Sequence, residues 1–482
     1  MKSKEALTVS WSARDTGQLP FLQSPMEGRL VSTCMPSPGI SVRSFLDHAE
    51  GQERFFWQNG QDQIILAGFG VAVEIMAWGE DRFADIRRKV AALFGNADLD
   101  FNQYRQAMPR LFGGFAFSDD FTPDNTWAMF HPTHFVLPHY QLIQNGTESW
   151  LTINAMIPVD EDPTAAREQL LEALSARYET LLLASDKKQV SEKTVDLVGI
   201  RYPMSYDTWV ENIEEAVASI KSAGMDKVVL ARVCELRSRQ RIDVHQALDY
   251  LNQNYEECSR FLFEPRPYHA FYGATPEMLV RVQGRQLNTM ALAGSVRRGA
   301  TPTEDALLSR ELMDSDKERH EHLLVVDSIR RRLQPVSVKI EAEETPEIYT
   351  LSYIHHLLTP IKAILQQDIG VLPLVEILHP TPALGGSPRQ PALDFIRHSE
   401  PVPRGWYAGP IGWIDHELDG EFGVAIRSAV AQERRVWLYA GAGIVADSEA
   451  SKEWAETELK FQPMFAALGI QAGQLDTVRE AT

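Results

Sequence analysis

Cysteine is scarce in this 482-residue chain: Cys34, Cys234 and Cys258 are odd in number and far apart. That usage excludes a disulfide framework and a cysteine-rich zinc site, and it fits a reducing cytoplasm. Positive charge is also in short supply, with 47 Lys and Arg against 66 Asp and Glu and a formal net charge of −19. So acidic a molecule is a poor partner for nucleic acid or an anionic membrane surface. Long hydrophobic runs are missing too. The most apolar stretch, Ile64 to Trp78, is too short to span a bilayer and is broken by Gly68, Gly70 and Glu74. The opening MKSKEALTVSWSARD lacks the apolar centre of a signal peptide. There is no internal repeat and no low-complexity tract. The remaining composition, 44% hydrophobic and 23% charged, is that of an ordinary globular protein, and cytoplasmic residence is the expectation. If the ligand is an anion, its compensating cations must be local or supplied by a metal.

Taken in order, residues 1 to about 50 show scattered Pro and Gly and little periodicity. From Arg54 the runs RFFWQN and QIILAGFGVAVEIMAW predict strands, and DRFADIRRKVAALFG predicts a helix. Gly113 and Gly114 inside the aromatic run PRLFGGFAF predict a strand approached closely by other backbone. AMFHPTHFVLPHYQLIQ and SWLTINAMIP read as further strands, Thr164 to Ser185 as an amphipathic helix, and Lys187 to Tyr202 as a polar connection. Tyr206 to Ala223 has helical periodicity ending at Gly224, a natural left-handed position. DKVVLARVCEL is a strand with Lys227 at its entrance, and His245 to Asn254 is a short helix. The stretch from FLFEPRPY to SVRRG reads as strands joined by turns, and Thr303 to Leu333 as one long charged helix. Tyr353 to Leu365 and the 390s read as shorter helices, and GWYAGPIGW to LYAGAG as a meander turning at LDG and QER. Strands in runs, rather than strict β-α-β alternation, predict antiparallel sheets with outer helices.

Chemistry-bearing residues concentrate late in the chain. Leu438 to Lys460 reads as a strand end, a glycine loop at Gly441 and Gly443, and a helix with Ser448 or Ser451 as its N-cap. On that helix Glu453, Glu456 and Lys460 fall at i, i+3 and i+7, on one face. The long charged helix carries Glu318 and Glu321 at i, i+3, with Asp314 and Lys317 alongside. Each cluster alone is ordinarily a solvated helix face. Facing each other, two such glutamate pairs would offer oxygen ligands to a hard cation, Mg²⁺ rather than zinc. His320 and His322 have no zinc-protease spacing and read as structural. Lys227 at a strand entrance would ordinarily snorkel to solvent; shielded from water, it could serve as a general base. Glu277, at a turn-to-strand junction, could be a general acid if an apolar wall raises its pKa. Arg427, in GVAIRSAV, faces inward or outward by register; inward, it needs an anionic partner.

Taken together, KVVLAR, FYGATPEMLV, ALAGSVRRG, DKERHEHLLVVD, YIHHLLTPI, LHPTPALGG, YAGPIGW, VAIRSA, LYAGAGIV and EWAETELK resemble, in order, the motifs of the chorismate-utilising enzymes. The resemblance is dense from about residue 200 to 465 and thinner upstream, at RFFWQN and PRLFGGFAF. It implies an α/β (α+β) fold in which two large antiparallel sheets pack as a sandwich-like core with helices outside. It also implies an N-terminal region 1–200 within the same compact unit, a catalytic region 201–470 and a tail 471–482. By resemblance Glu321 and Glu456 match Mg²⁺ ligands, with Glu453 and Glu318 nearby through water. Arg427 and the Gly441 backbone match groups holding a substrate carboxylate. Gly294, His356, Ala383, Leu384, Tyr407 and Lys460 match positions that line the substrate.

Within the family, Lys227 stands where ammonia-using anthranilate synthases carry glutamine, and Ala293 stands where aminodeoxychorismate synthases show a nucleophilic lysine. Salicylate synthases resemble one another in a PSVTASG-like run where this chain has His379 to Leu384. The resemblance therefore points to the isochorismate synthase branch, with chorismate as substrate, water as nucleophile, Lys227 as general base and Glu277 as general acid. No glutaminase subunit is expected, the assembly is a monomer or homodimer, and the product is expected to feed menaquinone biosynthesis. The rival expectations are a salicylate synthase, an ammonia-using anthranilate synthase and a non-catalytic chorismate-binding regulator.

Overall fold

The computed structural model describes residues 28–60, 64–101, 104–185 and 195–470. Expectations for residues 1–27, for the stretch from Lys187 to residue 194 and for the tail 471–482 lie outside the described residues. The first half contains β1 (Gly28–Pro36), α1 (Val42–His48), β2 (Arg54–Gln58), β3 (Ile64–Ala77) and α2 (Arg82–Gly95). It continues with β4 (Asp98–Leu99), β5 (Arg110–Phe115), β6 (Thr133–Asn145), β7 (Glu148–Pro158), α3 (Pro163–Ser185) and β8 (Leu197–Arg201). Then come α4 (Tyr206–Lys221), β9 (Lys227–Ser238), α5 (Val244–Asn254), β10 (Ser259–Arg266), β11 (His269–Thr275), β12 (Met278–Gln283) and β13 (Gln286–Arg297). Helices α6 (Pro302–Asp314) and α7 (Asp316–Leu333) precede β14 (Ser337–Ala342), β15 (Glu347–Thr350) and β16 (Ile354–Leu365). The chain closes with α8 (Leu372–Leu378), β17 (Gly386–Ser387), α9 (Arg389–Ser399), β18 (Pro410–Asp415), β19 (Gly420–Val424), β20 (Ser428–Gln432), β21 (Arg435–Ile444) and α10 (Ala450–Ala467).

The strands form one hydrogen-bonded network that forks. Running β8-β9-β21-β20-β11-β10-β2-β3-β6, every neighbour is antiparallel. At β6 the sheet divides. Tyr140–Asn145 pair with β7, which leads to β1 and, in the one parallel pairing among the described residues, to β4. Thr133–Val136 pair instead with β5, and that arm continues through β18, β19, β12 and β13 to β16, edged by β14 and β15. The arms fold over one another, so Phe55 of β2 meets Phe112 of β5 with ring centroids 6.1 Å apart. Trp406 stacks on Phe263 of β10 at 5.0 Å. This gives the expected two packed layers, continuous through β6. Phe55 also meets Phe263 across the chain's two halves at 5.3 Å, and burying each such aromatic contributes about 1.5–3 kcal/mol to holding the layers together.

Local chemistry explains several elements. Pro138 lies inside β6, and β3 accommodates it with a register shift between Val71 and Val73 and a left-handed Gly70. Gly113 lies where a Cβ would stand 2.1 Å from the His134 carbonyl, the close approach that its aromatic setting predicts. Ser205, Asp243, Thr301 and Ser315 cap α4, α5, α6 and α7 by accepting hydrogen bonds from backbone N–H groups in the first turn.

Seven expectations need correction. Tyr353–Leu365 is not a helix: Ile354–Leu365 is the strand β16, held by β13 on one side and by β14 and β15 on the other. The long charged helix is two, because Ser315 takes an extended ψ of 115° and caps the second. Gly441 and Gly443 belong to β21 rather than to a loop. Helix α10 has Glu449 as N-cap without a side-chain bond; Ser448 instead accepts the Val445 N–H. The left-handed residue after α4 is Ala223, not Gly224. Arg427 lies between β19 and β20 at φ 51°, outside the alternating strand. Within the polar connection, Leu197–Arg201 is a strand on the edge of β9.

Candidate active site

A cavity opens where β9, β13 and β21 come together under the N-terminal turns of α7 and α10. Its lining includes Glu277, Gly294, Glu318, Glu321, His356, Ala383, Leu384, Tyr407, Arg427, Gly441, Glu453, Glu456 and Lys460. Lys227 stands just behind, 1% exposed, with Nζ donating to Glu321 Oε1 at 2.7 Å. The structure thus gathers every candidate residue at one site.

Local folding explains each placement. Lys227 begins β9, and its Cε lies 3.1 Å from where a Cβ on Gly443 would stand; Glu321 Oε1 lies 2.6 Å from the same point. The bare glycine in β21 is therefore what gives the Lys227–Glu321 pair its room. Gly441 likewise leaves space for the Tyr407 hydroxyl, 3.2 Å from its missing Cβ. Gly294, at φ 79°, is an extra residue in β13 between Ala293 and Ser295. This glycine bulge turns the Ser295 N–H onto Glu318 Oε2 at 3.0 Å. His322 is structural, bonded to the Ala293 carbonyl and to Thr359.

Glu277 is 4% exposed in the turn between β11 and β12, its backbone N–H bonded to Thr275 Oγ1 at 3.2 Å. Burial pushes its carboxyl pKa up to about 8, against the pull of Lys227 and Lys460. It therefore holds its proton at neutral pH. His356 is driven well below its ordinary pKa by burial, then by Arg427 and Lys460. Being neutral, it accepts from Arg427 Nη2 through Nε2 at 3.2 Å, which leaves Nδ1–H to donate to the Gly294 carbonyl at 3.2 Å. Arg427 itself is 7% exposed and aimed into the cavity by its left-handed backbone.

The glutamates of α7 and α10 face one another. Burial and then Glu456 push Glu453 up to about 7, and burial and then Glu321 raise Glu318. Burial would also raise Glu456, but the Lys460 ammonium, 2.5 Å away, outweighs it and holds the carboxyl low. Lys317 lies 3.5 Å from Glu453 and 3.6 Å from Glu318. Among the described residues, no three His, Cys, Asp or Glu side chains converge as a closed metal cage, and the carboxylates lean on lysines. A magnesium-like ion needs no such cage, because one or two carboxylates with waters and ligand oxygens complete its shell. Oxygen-only donors, two of them with pKa raised by burial and then by neighbouring carboxylates, fit that ion.

Sequence reasoning missed Ser295, which lines the cavity and bonds Glu318 and Glu456 through its backbone and side chain. Its signal was a polar residue directly after a glycine inside a strand.

Comparison with known proteins agrees with this picture. The model of the family described as chorismate binding enzyme matches residues 18–469. The salicylate biosynthesis isochorismate synthase of Pseudomonas aeruginosa is 36% identical over 88% of this chain and 86% of its own length. The isochorismate synthase MenF of Bacillus subtilis is 34% identical over 91% of this chain and 93% of its own. Among solved structures, MenF, the menaquinone-specific isochorismate synthase from Escherichia coli, superposes with a TM-score of 0.75. That match has 25% identity and covers 92% of this chain and 95% of the other.

Proposed function

Because this chain belongs to the chorismate-binding enzyme family, we propose that it is an isochorismate synthase, adding water at C2 of chorismate with loss of the C4 hydroxyl. The observation that carries this reading is one cavity bringing together a buried lysine, Lys227, and a buried glutamic acid, Glu277, that keeps its proton at neutral pH. A base and an acid of that kind are what addition of water and departure of hydroxide require.

Lys227, in its neutral form, takes a proton from water as the water oxygen bonds to C2. The two ring double bonds shift, the C4–O bond breaks, and Glu277 gives its proton to the leaving hydroxyl, which departs as water. Run backward, the same two groups exchange roles, so the reaction is reversible. The enolpyruvyl group and the non-aromatic ring survive. Ala293 leaves no lysine nucleophile at that place in the cavity wall, and no ammonia-delivering glutaminase subunit enters the scheme.

Charge accounts for the cofactor. With Glu277 protonated and Lys227 neutral as the base, four glutamates face only Lys317, Arg427 and Lys460, and a dianion such as chorismate adds to that negative excess, which a divalent cation reduces. Glu321 and Glu456, with Glu453 and Glu318 beside them, would hold Mg²⁺. When bound, the ion supplies charge neutralisation and a fixed contact for a carboxylate. Arg427 meets a carboxylate of the substrate, Tyr407 and neutral His356 line its ring, and Ala383 and Leu384 give the apolar wall. Two MenF-named relatives support menaquinone biosynthesis as the destination of the product.

Turnover in H₂¹⁸O tests the scheme. One ¹⁸O atom should enter isochorismate at C2, read by mass spectrometry. Product free of label would mean that the hydroxyl migrates without exchange, and the water-addition mechanism would be wrong.

A further inference from the structure

One edge of β9 is incomplete beside the cavity. On the side away from β21, β17 pairs only as far as Val228, and β8 begins to pair only at Glu235. Backbone groups in that gap need other partners, since an unpaired buried N–H or C=O is costly. A buried ion pair supplies them. Arg404 and Glu400 have side chains 3% and 5% exposed, and Arg404 Nη2 lies 2.5 Å from Glu400 Oε1. Arg404 Nε donates to Glu400 Oε2 at 2.8 Å, Nη2 also donates to the Val229 carbonyl at 2.7 Å, and Nη1 donates to the Leu384 carbonyl at 2.8 Å. Glu400 Oε1 accepts the Ala231 N–H at 2.8 Å. The guanidinium also lies over the Phe117 ring, 4.3 Å from its centroid.

The two carbonyls joined by this fork belong to residues that line the cavity from different elements: Val229 on β9, and Leu384 in the segment before β17. A second tie, from the Val229 N–H to the Gly385 carbonyl at 3.0 Å, lies beside it. We infer that the Arg404–Glu400 pair is a positioning device, fixing the Ala383–Leu384 wall at a set distance from β9 and thereby setting how tightly the substrate ring is held. The inference rests on the proposed reading that chorismate occupies this cavity. Neither side chain lines the cavity, so the pair acts through the wall. Lysine cannot replace Arg404, because a single ammonium cannot span a carboxylate and two divergent carbonyls at once.

Two variants of nearly unchanged volume test it, Arg404→Lys and Glu400→Gln. In Arg404→Lys two wall carbonyls lose their fixed partner, and in Glu400→Gln the guanidinium that holds them loses its ionic anchor; in both, KM for chorismate should rise by roughly tenfold or more while kcat changes by less than about threefold. In a Leu384→Ala background the effect of Arg404→Lys on KM should largely vanish, since the wall contact is already gone. Amide hydrogen exchange across residues 381–386 should accelerate in both variants of the free protein. Unchanged KM with unchanged exchange would overturn the inference. So would kcat falling with the folded fraction at constant KM, or additivity with Leu384→Ala. If the wild-type protein does not turn over chorismate, the proposed activity fails; exchange at 381–386 still decides whether the pair holds the wall.

Discussion

Glu277 is held neutral by its surroundings, and two consequences follow at the scale of that one carboxyl. Its proton is lost as pH rises through about 8, so forward turnover should decline above that value. The stability effect has the same sign. With the native pKa raised and the unfolded one ordinary, the folded state binds the extra proton between them; that contribution is full below the ordinary carboxylate range and gone above about 8. Glu277→Gln should therefore cut turnover by about 10²–10⁴-fold, retain chorismate binding, and gain stability over wild type as pH is raised from 5 to 9. Denaturant titrations at a series of pH values, beside kinetics, check this; a variant with near-normal turnover removes Glu277 from the role of acid. Lys227→Gln, which keeps a donor toward Glu321, should lose activity on a similar scale of about 10²–10⁴ without loss of binding. Neither role is legible from position alone. A lysine at a strand entrance and a glutamate at a turn are ordinarily solvated, and only the ordered motifs around them marked these two out. Their burial is a tertiary fact, supplied by β21, α7 and the turn beside β11.

Strands and helices set the distances at the site, and glycine in β21 sets the tightest. An alanine at Gly443 would put a Cβ 2.6 Å from Glu321 Oε1 and 3.1 Å from Lys227 Cε, so the pair must move. Gly443→Ala should lower kcat/KM by roughly 100-fold and raise the Mg²⁺ concentration needed for half-maximal rate, with thermal unfolding little changed. Kinetics that match wild type would show the pair free to adjust. Ser315, which starts α7, accepts the Glu318 N–H. Ser315→Ala should cost about 1 kcal/mol in denaturant unfolding and loosen Glu318; a loss near zero would mean that the break between α6 and α7 is fixed by packing alone. The element record shows where patterns mislead. The apolar residues of Tyr353 to Leu365 satisfy a helical spacing as well as a strand's, and β13, β14 and β15 decide the matter from outside the segment. The break at Ser315 is a cap motif hidden inside continuous helical periodicity. By contrast the hairpins of β18–β21, with turn residues at LDG and QER, were readable because the turns and the alternation agree.

At the scale of the whole molecule, the halves are interleaved rather than appended. Strand β2 completes β10, and β5 completes β18, so residues 201–470 alone would expose two unpaired strand edges beside an open aromatic seam. We propose that 1–200 and 201–470 unfold as one cooperative unit. Fluorescence and circular dichroism should give coincident denaturant transitions; separate midpoints would indicate independent domains. The two-layer architecture was visible in the order of strand-forming runs and in the family motifs. The fork at β6 was not, because pairing one strand with two different neighbours along its length leaves no mark in its own residues. Among the described residues no helix is long and apolar enough to cross a membrane. The central claim concerns what this chain does with chorismate. Purified protein given chorismate and Mg²⁺, with and without ammonium, and followed by liquid chromatography with mass detection, tests it most directly. The account predicts isochorismate in an equilibrium mixture with chorismate, indifferent to ammonium. Salicylate with equimolar pyruvate, anthranilate formed only with ammonium, or tight binding without turnover would each contradict it.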